Sequence, residues 1–104
     1  GAVKIARTAI NTAAVTTYTV LATDNYIGVN TGTAALAITL QAAGTAGAGR
    51  TIYIKDESGD AGSGQPITVS GDGAETIDGS AAKLISSDYG NLYLISTGSG
   101  WAIL

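Results

Sequence analysis

The residues that could carry chemistry are few. The chain has eight carboxylates, five cations and neither histidine nor cysteine. Without His or Cys, the usual nucleophile-base dyads and triads cannot be assembled within it. A serine with a lysine base remains conceivable, since Lys83 lies near Ser80, Ser86 and Ser87, but no matching motif accompanies them. Paired carboxylates can hydrolyse glycosides. The candidates are Asp56, Glu57, Asp60, Asp72, Glu75, Asp78 and Asp88. Most stand beside glycine or serine, where an acidic side chain ordinarily hydrogen-bonds its own turn. The sequence therefore reads as that of a non-enzyme with no catalytic residue.

Metal and cofactor chemistry fares no better. Asp56, Glu57, Ser58 and Asp60 form an oxygen-rich loop, but the spacing is not that of a calcium hand. The Asp56–Asp60 segment is left as an open cation question. Gly44 to Arg50 is glycine-rich but lacks the Lys-Ser/Thr ending of a phosphate loop. No cofactor is expected. The aromatic side chains are a further resource. Tyr53 and Tyr93 point away from the apolar faces of their strands, which makes them candidate surface contacts, to sugars or to another subunit.

The elements that would position these groups are strands. Alternation of period two runs through Thr17–Leu21, Tyr26–Asn30, Ala35–Leu40, Arg50–Lys55, Pro66–Ser70 and Gly90–Thr97, with turns rich in Gly, Asp, Asn and Ser between them. Shorter pieces at Glu75–Gly79, Lys83–Ile85 and Trp101–Leu104 complete eight or nine strands. The region 66–79 looks like two stacked rungs, Ala42–Gly49 reads as a loop, and no strict repeat is visible. The fold class is all-β: a sandwich, barrel or prism-like module, packed or intertwined about a three-fold axis. Residues 1–15 read as an extended N-terminal arm, and 16–104 as a single β domain. The inward positions are Leu36, Ile38, Leu40, Ile52, Ile54, Ile67, Val69, Ile77, Leu92 and Leu94, candidates for the core or for trimer contacts.

Charge narrows the partners. Lys4, Arg7, Arg50, Lys55 and Lys83 are scattered and the net charge is −3. Neither a phosphate-neutralising stripe nor a polybasic anchor is present, so no nucleic acid and no membrane insertion are expected. Only 12% of residues are charged, about half the usual share. Covering by sister subunits would explain so neutral a surface.

Three stretches then carry a resemblance: YIGVNTGTAALAITLQAAGTAGAGRTIYIKDESGDAG from Tyr26, ITVSGDGAETIDGS from Ile67 and NLYLISTGSGWAIL from Asn91. In this order, over roughly residues 16–104, the chain resembles a trimeric β module of tailed-bacteriophage virion proteins of the fibre, spike or head-decoration kind. The resemblance implies a homotrimer on the virion surface, held to capsid or fibre-stalk proteins by the N-terminal arm, with no catalytic residue carried over. It leaves two further readings: a receptor-binding tip that recognises a host-surface glycan, and a fragment of a polysaccharide-degrading spike.

Overall fold

The structure, a computed structural model, describes residues 5–104. The chain is all-β and lays its first six strands alternately in two facing sheets. The strands in order are β1 (Arg7–Asn11), β2 (Thr17–Thr19), β3 (Tyr26–Asn30), β4 (Leu36–Thr39), β5 (Thr51–Asp56), β6 (Ile67–Ser70), β7 (Ala82–Ile85), β8 (Asn91–Ser96) and β9 (Trp101–Ile103). One sheet has the order β1-β3-β5-β8-β9 and the other β2-β4-β6-β7. The pairs β1/β3, β3/β5, β2/β4 and β4/β6 are parallel. The first six strands therefore form three stacked coils of a two-faced β-solenoid. The last three run antiparallel to their neighbours and close the stack.

Each coil is one strand–turn–strand unit, and a solenoid of such units ordinarily shows as a sequence period. Here the period is hidden because the loops differ in length. Arg7, Tyr26 and Tyr53 share one register position, yet the Ala/Gly and Asp56–Gln65 loops lengthen the later coils. The Ala/Gly segment, expected as a loop, contains one helical turn, α1 (Ala43–Ala46), whose Ala43 is fully buried. The expected rung at 75–79 is not a strand. Asp78 and Gly79 both have positive φ, 50° and 81°, and Ile77 and Ser80 exchange backbone hydrogen bonds of 2.7 and 3.0 Å across them. That is the tight turn an Asp-Gly pair favours.

No boundary falls at residue 15. Arg7–Asn11, expected within an arm, is β1 and pairs with β3 along its whole length. Alternating Ile10 contributes to the core, which is why the segment docks. Residues 1–4 of the expected arm lie outside the described residues.

Inward side chains stack in columns. Leu36 and Ile67 share one, Ile38 and Val69 another, Ile27 and Ile54 a third. All are at most 2% exposed, and burial of each stabilises the fold by about 1.5–3 kcal/mol relative to exposure. The first coil breaks the pattern. Thr8 occupies the Ile27–Ile54 column and Tyr18 the Ile38–Val69 column. Buried Asp24 joins them: Thr8 Oγ1 donates to Oδ1 at 2.6 Å, Tyr18 Oη to Oδ2 at 2.7 Å, and the Leu21 amide to Oδ2 at 2.8 Å. The carboxylate thus ties β1 of one sheet to β2 of the other.

Candidate functional site

Period-two alternation on β3, β5 and β8 sends Tyr26, Tyr53 and Tyr93 to the outer face of the larger sheet, in register with one another. Tyr26 and Tyr53 stack with centroids 5.5 Å apart and planes 9° from parallel. Tyr93 meets Tyr53 edge to face, at 5.6 Å and 60°. A groove of about 820 Å³ lies over this row, with Ile5, Asn25, Thr51 and Lys55 also lining it. Tyr93 is 43% exposed, and Tyr53 is half-buried. The sequence reading singled out these two but passed over Tyr26, although its alternation with buried Ile27 and Val29 carried the same signal.

One end of the row is braced. Tyr26 Oη donates to Glu57 Oε2 at 2.8 Å, and Arg7 Nε donates to the same oxygen at 3.1 Å, while its guanidinium pairs with Oε1. Glu57 reaches Arg7 by crossing Gly28, where a Cβ would sit 2.3 Å from its carboxyl carbon. The Arg7 hydrogen bond, with the Tyr26 hydrogen bond and the Arg7 and Lys55 charges, outweighs burial and holds the Glu57 carboxyl below its ordinary value. Burial first, then Glu57, pushes the Tyr26 phenol up to about 12.

The carboxylates organise backbone. Asp56 is fully buried. Its Oδ1 accepts from the Ser58 amide and hydroxyl and from the Gly59 amide, and its Oδ2 from the amides of Ala61 and Tyr89, at 3.0–3.3 Å. Burial opposes the charge, but these donors hold its pKa below the ordinary value. A carboxylate offers about four lone-pair sites, so five protein donors leave no room for a cation at Asp56. No group of three or more acidic, His or Cys side chains able to hold a metal occurs among the described residues. Glu75 accepts from the Ala43 amide, Asp78 from Ile103, and Asp88 from Gly62. Asp24, which binds both sheets, is not among the acidic candidates of the sequence. Nothing local in the sequence marks it, since its partners come from two different strands.

The ten candidate core or trimer contacts lie inside the single chain. Leu36, Ile38, Leu40, Ile52, Ile54, Ile67, Val69, Ile77 and Leu94 are at most 2% exposed, and Leu92 packs half-buried against them. No helix among the described residues is long and apolar enough to cross a membrane.

No protein-family model matches the chain, and a search of curated proteins finds no match.

Proposed function

We propose that the chain is a non-catalytic structural module of a bacteriophage particle, a homotrimeric capsid decoration or fibre or spike unit on the virion surface. The observation that carries this reading is the outer face of the smaller sheet. Alternation puts Thr17, Ala37, Thr68 and Leu84 in one row across it and Thr19, Thr39, Ser70 and Ala82 in the next. No charged residue stands in either row, whereas an ordinary exposed surface is about 25–35% charged. Hydroxyls that both donate and accept are complementary to their own copies. A flat face of this kind can meet a sister subunit without burying an ion.

The motifs behind the resemblance support an architectural role. In Lys55-Asp56-Glu57-Ser58-Gly59, Asp56 organises the loop and Glu57 braces β1. Asp78-Gly79 makes the turn that carries Ile77 into the core. Gly98-Ser99-Gly100 connects β8 to β9, where buried Trp101 donates its indole N–H to the Gln41 carbonyl at 3.1 Å. Each motif builds backbone.

Light scattering of the purified chain tests the reading. The expected mass is three times 10.3 kDa. Thr39→Arg, at the centre of the charge-free face, should give monomers, while Tyr93→Arg on the opposite sheet should leave the trimer. A monomeric wild type would refute the trimer. A trimer indifferent to Thr39→Arg would refute the assigned face. Antibody labelling of intact particles then checks the virion surface.

A further inference from the structure

We propose that the groove over Tyr26, Tyr53 and Tyr93 is a saccharide-binding site. The claim rests on the reading that subunits meet on the smaller sheet, which leaves this face open. Its volume, about 820 Å³, lies within the range of about 300–1,000 Å³ usual for small-ligand sites. Its floor is preorganised, because Tyr26 and Tyr53 stack on each other and Glu57 with Arg7 fixes the Tyr26 hydroxyl.

The ligand class follows from which groups remain open. Tyr26 and Tyr53 have turned their facing surfaces to each other. Tyr93, rotated by 60° and 43% exposed, is the member of the row positioned to offer a ring face. The Tyr26 hydroxyl is taken by Glu57. Tyr53, Thr51 and Asn25 line the groove with Tyr93, and their side chains carry neutral groups that both donate and accept. An alkyl chain laid here would desolvate these groups without partners, at a cost. A nucleotide phosphate favours several converging cations, but Arg7 is paired with Glu57 and Lys55 is the one cation among the described groove-lining residues. A sugar has what the groove lacks: an apolar C–H face to lie on Tyr93 and a rim of hydroxyls to meet neutral donors and acceptors.

The test is an NMR titration of the labelled whole chain, following Tyr93 and Thr51 signals. The probes are glucose, galactose, mannose, N-acetylglucosamine and disaccharides of each, taken to about 20 mM because a shallow site of this kind binds near the millimolar range. At least one sugar should shift both signals and saturate. Tyr93→Ala should weaken that binding by about tenfold or more, while Tyr93→Phe, which keeps the ring face, should stay within about threefold. Thr51→Arg, which fills the groove and keeps all three tyrosines, should abolish it. The proposal fails if no sugar in the panel moves the signals. It also fails if Tyr93→Ala and Thr51→Arg bind as well as wild type, or if adenosine monophosphate or hexanol shifts the same signals at lower concentration than any sugar.

Discussion

Asp24→Asn tests the end closure most directly. Asp24 is 3% exposed and takes three donors at 2.6–2.8 Å. A hydrogen bond to a charged group contributes about 1.5–3 kcal/mol net. Asparagine keeps the volume and one acceptor oxygen, but its NH₂ must face at least one of these donors. The expected loss is therefore about 2 kcal/mol, a large fraction of the roughly 5–15 kcal/mol of a domain this size. Tyr18→Phe alone should cost about 1.5 kcal/mol, and the double variant should lose about 1.5 kcal/mol less than the sum, because both remove the same bond. Urea unfolding read by the single tryptophan, buried Trp101 on the far edge of the larger sheet, measures all three. The pH dependence has a fixed sign. Burial alone would raise the Asp24 pKa, but Thr8, the Leu21 amide, Tyr18 and the Arg50 charge together lower it. Its contribution is present above the unfolded value of about 3.9 and is lost as pH falls through the folded value. The gap between wild type and Asp24→Asn should close there. Tyr18 is pushed the other way, up to about 12, by burial first and Asp24 second. Its contribution is full below about pH 10 and is lost as pH rises toward 12, a limb that Tyr18→Phe should shrink to the part Tyr26 contributes. A shift below about 0.5 kcal/mol for Asp24→Asn at constant m-value would refute the pin, since that is the size of an ordinary surface change.

Two glycines should respond oppositely to alanine. A Cβ at Gly71 would stand 2.4 Å from the Glu75 carbonyl oxygen, which is backbone and cannot swing aside, so Gly71→Ala should cost about 3 kcal/mol in urea unfolding. At Gly28 the obstacle is the Glu57 carboxylate, the end of a flexible side chain in a surface ion pair, so Gly28→Ala should cost under about 1 kcal/mol. Thr31 is fully buried and its hydroxyl has no partner among the described residues. Thr31→Val should therefore be neutral or stabilising by up to about 1 kcal/mol, and a loss above that in thermal unfolding would show that the hydroxyl is satisfied.

The strands and their inward faces were legible because a half-buried strand writes its geometry at period two. Leu36, Ile38, Ile52, Ile54, Ile67 and Val69 alternate with small or polar neighbours, and all are buried. Partnership was not legible. Alternation says which face a residue takes but not which strand lies beside it, so nothing in Tyr26–Asn30 announces parallel pairing to Thr51–Asp56 across a full coil. The same limit hid β1, whose polar outward residues resemble a tail until β3 supplies its ladder. The groove was half legible: orientation gave Tyr53 and Tyr93, but their convergence with Tyr26 required the register. Turns are written most plainly where one dipeptide decides them, as at Asp78-Gly79, although Glu75–Gly79 was expected as a rung. They were read worst where the decisive contact is distant, as with Asp56 and the Tyr89 amide.

A stack of coils must be closed at both ends, and this chain uses a different device at each. At one end β7, β8 and β9 reverse direction. Ile77 then bridges to Trp101, and the core is sealed by apolar bulk. At the other end no strand reverses; the inward columns change chemistry instead. Thr8 replaces the isoleucines of its column, Tyr18 replaces Ile38 and Val69, and Asp24 satisfies both hydroxyls. Tyr18 is suited to this place because its ring covers apolar neighbours while its hydroxyl reaches a carboxylate. The backbone there still presents unpaired groups. The carbonyl of Ala6 accepts from Tyr26, and the amide of Thr12 donates to Asn30. The alternate residues Arg7 and Ala9 therefore turn their peptide groups outward. Such an edge invites sheet extension unless it is short or charged. Here β2 has only three residues and β1 begins at Arg7, whose guanidinium is held by Glu57. Arg7, which braces the tyrosine row through Glu57, therefore also puts a charge on the open edge strand.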